Sequence, residues 1–353
     1  MGRSFVKKRR SVLGGDNRLR LAAVPAAFIL WLLGSAWGWS ATVKDVRKKM
    51  GSRFEVTAVH EDPGRAQQAI DAAYAEIDRL EAMISSWRDS SQTSAINANA
   101  GVAPVGVSQE LFNLIRRSLR VSELTEGAFD ITFAGVGKLW DFDSDPPALP
   151  DPEAVRQAIA RIDYRDVVLD PENHTVFLKR TGMRIGFGAI GKGYAANRAV
   201  FVLKGMGIES GVVNAGGDLV AFGAQESGEP WQIGIAHPRD RDHVFLRLKL
   251  SEQAVVTSGD YERFMIVDGK RYCHILDPKT GFPADSLQSV TIICPDAELA
   301  DALATSVFVM GPEKGMALIE RLKNVECVLV DAQGELHYSH NVKTQMLDVE
   351  ERL

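Results

Sequence analysis

The chain has little cysteine. Of its 353 residues three are cysteines, Cys273, Cys294 and Cys327, and their spacing fits neither a zinc site nor a Cys-x-x-Cys redox pair. They read as small buried apolar side chains, although an oxidising compartment would allow one disulfide and leave one thiol over. A large charge excess is missing too. The 41 lysines and arginines face 46 aspartates and glutamates, for a net charge of −5, so nothing in the balance argues for a nucleic-acid partner. No internal repeat and no low-complexity tract stands out, which sets aside solenoids and compositionally disordered carriers. What is present is ordinary: 25% charged and 45% hydrophobic residues are a globular composition, long enough for one large domain or two smaller ones with ample core.

Long apolar runs are scarce as well, and the exception lies at the start. Basic residues at 7–10 ("KKRR") and 18–20 ("RLR") precede the uncharged run "LAAVPAAFILWLLGSAWGW" at 21–39. This is the layout of a signal peptide or a short membrane anchor. Ala36 and Gly38 offer the small residues a signal peptidase reads, and "RRSVL" at 9–13 loosely resembles a twin-arginine signal. Positive charge ahead of the run keeps that end in the cytoplasm. The expectation is therefore a segment 1–41 that exports or anchors, and a domain 42–353 on the periplasmic side of the inner membrane, soluble or held through residues 21–39. A buried N-terminal helix is the alternative. The region holds no cysteine, so a lipid anchor has no acceptor.

Beyond that segment, residues 53–62 alternate like a strand, and 64–85 carry apolar positions at helical spacing. Residues 108–127 form a second expected helix, with Ser108 to cap it and Gly127 after it. A third runs over 151–162, opening with Asp-Pro. From Val167 onward short strands alternate with glycine-rich turns, interrupted by helices near 192–206 and after Pro295, and "VECVLVDAQGELHYS" reads as a closing hairpin. Strands and helices in mixed runs, without strict βαβ alternation, favour α+β. The stretch "DFDSDPPALPDPE" at 141–153 is the expected exposed loop.

Several clusters carry chemistry. "GFGAIGKGYAANRA" at 186–199 is almost a phosphate loop, yet Gly193 follows Lys192 where a P-loop needs Ser or Thr, and the stretch sits mid-chain, away from a first βαβ unit. What remains is a strand over 183–187, a small-residue turn and a helix start bearing a lysine. Bare N–H groups there can receive an anion, with Lys192 adding a point charge; a tight turn with a solvated lysine is the equal alternative. In "DALATSVFVMG" Asp301 and Thr305 stand four apart on one helix face, where a carboxylate and a hydroxyl suit Mg²⁺; a plain capping or surface pair would look the same. His274, in "YCHILDPKTGFPA", can take a proton from a hydroxyl near neutrality, or be a satisfied half-buried histidine. The glycines of "VNAGGDL" permit close backbone approach. Trp87, beside the polar stretch "SSWRDSSQTSAIN", offers an indole to a planar ligand.

In their order, "MGSRFEV", "SSWRDSSQTSAIN", "GAFDIT", "GFGAIGKGYAANRA", "VNAGGDL", "SGDYERF", "HILDPKTGFPA" and "DALATSVFVMG" resemble the motifs of the ApbE family, the FAD:protein FMN transferases, from Met50 to Gly311. The resemblance implies an α+β fold of mixed sheets and packed helices, with an FAD and Mg²⁺ site in a cleft between lobes. It implies an enzyme that splits the FAD pyrophosphate with Mg²⁺, moves FMN onto a Ser or Thr hydroxyl of a target protein and releases AMP. On matching positions the metal ligands are Asp301, Thr305 and the Ala189 carbonyl. The flavin site is Met50, Trp87, Ala128, Phe129, Asp130, Lys192 and Ile275, with Trp87 where the family often has Tyr. The catalytic set is His274, Lys192 and Asp301. The implied acceptors are flavin-bearing subunits of membrane redox complexes. Two positions depart from the pattern. Gly186 stands where the family usually has an Asp that contacts FAD, which removes a polar contact; Asn197 replaces another frequent Asp and is expected to be a surface matter. An FAD pyrophosphatase, with water in place of the acceptor hydroxyl, would use the same residues. An exported flavin carrier without catalysis would not need the Asp301–Thr305 pair.

Overall fold

A hairpin opens the described chain. In the computed structural model, which describes residues 41–342 and 346–349, strand β1 (Ala41–Lys49) alternates exposed and half-buried positions, and β2 (Ser52–His60) turns Phe54, Val56 and Ala58 fully inward. Met50 and Gly51 connect them, both at positive φ (48° and 76°), the two-residue geometry whose twist suits paired strands. The expected signal or anchor at 21–39 lies outside the described residues. Among those described, no helix is long and apolar enough to cross a membrane.

The order continues with α1 (Pro63–Ile84), α2 (Gln92–Ala98), β3 (Val105–Gly106), α3 (Gln109–Leu124), α4 (Ala134–Gly137), α5 (Pro152–Ile159), β4 (Val167–Asp170), β5 (Thr175–Leu178) and α6 (Gly191–Gly205). Then come β6 (Ser210–Ala215), β7 (Asp218–Phe222), β8 (Trp231–His237), β9 (Asp240–Leu250), β10 (Gln253–Gly259), β11 (Phe264–Val267) and β12 (Lys270–Cys273). The chain closes with β13 (Leu287–Cys294), α7 (Ala297–Met310), α8 (Pro312–Ile319), β14 (Glu326–Asp331), β15 (Leu336–Tyr338) and β16 (Met346–Val349).

Eight strands form one antiparallel sheet in the order β1-β2-β6-β7-β10-β13-β14-β15. Every residue of β13 is buried, because both faces of the sheet are covered there. On one face, α7 and α8 pack through Val256, Val290, Ile292 and Leu329. On the other, the small sheet β16-β9-β8 packs through Val255, Ile293, Val328 and Val330. Helices α1, α6 and α7 lie side by side over the sheet. A satellite cluster of Trp140, Phe142, Tyr272 and Phe282 pins the loop after α4 to the β11–β12 hairpin, with Trp140 Nε1 donating to the Gly281 carbonyl at 3.0 Å. The architecture is α+β, as expected.

The long helices fall where their caps put them. Asp62 caps α1 through Gly64 N, and Ser108 caps α3 through Leu111 N at 3.3 Å. Helix α5 ends at Ile159 rather than Ile162. The sequence reading did not anticipate α2, begun by the Ser91 cap, or the single turn α4. One expectation is corrected. Residues 183–187 form no strand of a sheet; only Arg184 makes an isolated bridge, to Phe133. A side chain stands in for the missing neighbour, as Asn97 accepts from Ile185 N at 2.7 Å and donates to Ile185 O at 3.0 Å. The three cysteines are free and buried, as expected.

Candidate active site

The site begins where α6 meets α7. A Cβ at Gly193 would lie 2.1 Å from the Ala297 carbonyl oxygen and 2.8 Å from Asp301 Cβ; only glycine lets the helices approach so closely. The approach puts Gly193 N–H 3.0 Å from Asp301 Oδ2, to which it donates. Gly193 is the third residue of α6, where an N–H has no partner within the helix, so Asp301 satisfies an orphan donor; Ala189 precedes the Ile190 cap, and its carbonyl lies outside the helical ladder. Asp301 is buried, and burial, with the nearby Asp218 charge, pushes its pKa well above the usual carboxylate range despite the pull of Lys192. Thr305, one turn on along α7, lies 3.5 Å from Ser258 Oγ on β10.

Lys192 occupies the first turn of α6 and donates to Asp218 Oδ1 at 2.9 Å. Burial works against its charge, but the Asp218 and Asp301 carboxylates outweigh it, and its pKa stands above the ordinary lysine value. His274 follows β12. Its backbone N–H donates to the Arg263 carbonyl at 2.9 Å and its Nδ1 lies 3.2 Å from the same oxygen. The ring opens to solvent inside the cleft, yet protein surrounds it on most sides. Burial, joined by the Lys192 charge and opposed by the Arg263 carbonyl, lowers its pKa, so the ring is neutral at pH 7.

Lys192, Ser258, His274, Asp301 and Thr305 line one cleft of about 880 Å³, together with Met50, Trp87, Ile275 and the Gly216 turn. Met50 contributes from its left-handed turn, a conformation rare outside glycine and common at functional sites. Trp87 is 75% exposed on the cleft wall, with Lys138 Nζ 4.9 Å from its ring centre. A narrower slot of about 130 Å³ opens beside the cleft and shares Gly188, His274, Ile275 and Thr305 with it. Ala128, Phe129, Asp130, Gly186 and Ala189 line the slot. Every residue of the expected metal, flavin and catalytic sets thus lies on the cleft or its slot.

Three positions differ in detail from their sequence reading. The Asp130 carboxylate is engaged within its own surroundings: Oδ1 accepts from Thr132 N and Oγ1 at 2.8 and 2.7 Å, and Oδ2 from Tyr164 N at 2.9 Å. It shapes the slot wall. At Gly186 an added Cβ would lie 3.0 Å from Ala134 Cβ, so a side chain there would have to push Ala134 aside by a few tenths of an ångström. Asn197 is not a surface matter. It donates to Asp296 Oδ1 at 2.7 Å and accepts from Ala297 N at 3.1 Å, tying α6 to the start of α7. Sequence reasoning gave no role to Asp218, which lies in the quoted "VNAGGDL", or to Ser258, which opens "SGDYERF" and stands on a strand facing Thr305.

Among the described residues no three of His, Cys, Asp and Glu converge. A cation here would rely on one carboxylate, a hydroxyl, a freed carbonyl and ligand oxygens, a hard set that fits Mg²⁺ with its preference for oxygen and for substrate phosphate.

A buried carboxylate, a lysine braced by a second carboxylate, a neutral histidine and an exposed indole thus surround one open cleft. The chain belongs to the ApbE family, which it matches over residues 50–329. It is 38% identical over 277 residues to the FAD:protein FMN transferase of Treponema pallidum, covering 74% of this chain and 76% of that one. It is 31% identical over 302 residues to that of Klebsiella pneumoniae, covering 84% and 86%. Among solved structures, the ApbE protein of Thermotoga maritima superposes with a TM-score of 0.81 at 31% identity, over 89% of this chain and 100% of that one. The flavin transferase ApbE of Vibrio cholerae gives 0.78 at 27%, over 87% and 99%.

Proposed function

We propose that this chain is an FAD:protein FMN transferase that depends on Mg²⁺, acts on a Ser or Thr hydroxyl and releases AMP. The observation that carries the proposal is the convergence of Lys192, Asp301, Thr305 and His274 on one cleft in a chain of this family. Asp301, Thr305 and the Ala189 carbonyl would hold the Mg²⁺, whose charge neutralises the pyrophosphate oxygens. Lys192 shares that load, and Trp87 presents its face to a planar ring of the dinucleotide. His274, neutral, accepts the proton of the acceptor hydroxyl. The hydroxyl oxygen bonds to the FMN-side phosphorus, the P–O bond to AMP breaks, and AMP departs with the bridging oxygen. Catalysis in such a transfer is mostly positioning and charge neutralisation.

The basic-then-apolar N-terminal stretch supports an exported enzyme on the periplasmic side, soluble or anchored, whose acceptors are flavin-bearing subunits of membrane redox complexes. Because His274 is open to solvent, water is a competing nucleophile; its product would be free FMN. The test is direct. The chain from residue 41 is mixed with FAD, Mg²⁺ and an acceptor carrying a Ser/Thr flavinylation motif, and the acceptor is weighed. An FMN-sized gain that disappears with EDTA is expected. Free FMN and AMP without a gain would mean a hydrolase, and FAD left intact a carrier. D301A should remain folded and lose turnover; full turnover in that variant would refute the metal site.

A further inference from the structure

Asp218, which begins β7, is fully buried and stands behind the cleft rather than on its lining. A carboxylate at that depth is costly unless its lone pairs and its charge are matched. Half of the matching is present: Oδ1 accepts from Lys192 at 2.9 Å, while Oδ2 has no hydrogen-bond partner. The turn does not explain the group. The Gly216–Gly217 turn is tied by Asn214, whose Oδ1 accepts from Gly217 N at 2.9 Å. The Asp218 backbone is already paired, with Ala215 on one side and Val256 on the other. Neither the turn nor the strand pairing draws on the Asp218 carboxylate.

The charge has a use at the cleft. Lys192 lines the cleft and Asp218 lies behind it. A lysine ammonium on its flexible stem is a poor positioning device by itself, and an unmatched ammonium beside Asp301 would oppose any divalent cation there. We propose that Asp218 is a positioning residue that acts through Lys192: it fixes the ammonium at the cleft floor, facing the ligand phosphates, and cancels its repulsion of a cation at Asp301. This inference rests on the FMN transferase reading and adds a residue to it.

The experiment is a double-mutant cycle in the full chain with D218N, K192M and both together. It reads kcat, KM for FAD, thermal midpoint, and Mn²⁺ affinity by the electron-spin signal of free Mn²⁺. D218N is expected to lower kcat about 100-fold, as loss of one charge-placing group does, to weaken Mn²⁺ binding roughly 10-fold, and to leave KM for FAD within about threefold. In the K192M background it should change kcat by less than about threefold, because Asp218 acts through that lysine. A folded D218N with parental kcat and Mn²⁺ affinity overturns the inference, and so does an undiminished effect in the K192M background, the mark of a role that does not run through the lysine. Should D218N fail to fold, K192M/D218L replaces the buried pair with apolar groups and must match K192M alone; a further large drop overturns the inference. A parental chain that neither transfers FMN nor binds Mn²⁺ sinks the functional reading and this inference with it. A parental chain active in both, with D218N unaffected, sinks this inference alone.

Discussion

Replacing Gly193 with alanine should damage both stability and activity by way of one methyl group. The added Cβ would sit 2.1 Å from the Ala297 carbonyl oxygen, 2.6 Å from its carbon and 2.8 Å from Asp301 Cβ. Two of these are backbone atoms of a packed helix, so no side chain can swing aside, and α6 and α7 must part by roughly 1 Å to restore ordinary contact. Overpacking of this kind costs about 1–3 kcal/mol. The parting also lengthens the Gly193 N–H to Asp301 Oδ2 bond of 3.0 Å; a hydrogen bond to a charged acceptor contributes about 1.5–3 kcal/mol. Alanine recovers about 1 kcal/mol of helix propensity. The net loss is about 1.5–5 kcal/mol, which for a domain of this size lowers Tm by about 2–8 °C. Because the same contact aims Asp301, kcat should fall about 100-fold, the usual consequence of a 1 Å misplacement in an active site. The control lies in the same helix. Gly205 has nothing within 4 Å of an added Cβ, so G205A should raise stability by up to about 1 kcal/mol and leave kcat unchanged. Differential scanning calorimetry and the acceptor-mass assay read both variants. A G193A protein with parental Tm and kcat would refute the argument that close helix contact builds the site.

Two further outcomes follow from the cleft. Trp87 is 75% exposed and adds little to the core, so W87A should keep its Tm but raise KM for FAD about fivefold to tenfold, the loss of one aromatic stack worth about 1–1.5 kcal/mol; W87Y should restore most of it, measured by initial rates over FAD concentration. Burial and the Lys192 charge hold His274 below its ordinary pKa, and the proton-accepting form exists above that pKa. The acid limb of kcat/KM should therefore have its midpoint below about 6.5. H274Q should abolish the limb and slow transfer about 10²–10⁴-fold, read from pH–rate profiles of the two proteins.

Much of the site was legible because it is written in short-range spacing. Asp301 and Thr305 stand four apart, so any helix there puts them on one face, and α7 does so. Ser108 and Asp62 cap helices through their own side chains, a local interaction. The strand expected at 183–187 failed for the opposite reason. Its partner is the amide of Asn97, 88 residues away, and a side chain replacing a strand leaves no periodic trace. Asn197 misled in the same way, because its partner Asp296 is distant in the chain. At Gly186 sequence shows only a missing side chain; that Ala134 stands against the position follows from packing alone.

Sequence alone determined the family motifs, the α+β class and the identity of the residues around the cleft, since each is carried by residue type and spacing within a few turns of chain. Tertiary structure decided what Lys192, Asp218 and Asp301 are to one another. They belong to α6, β7 and α7, and only the glycine-permitted contact of the two helices over the sheet brings a lysine on the cleft, its carboxylate partner behind it and a second buried carboxylate together. Burial and charge coupling depend on distance in space, which the order of residues along the chain does not state.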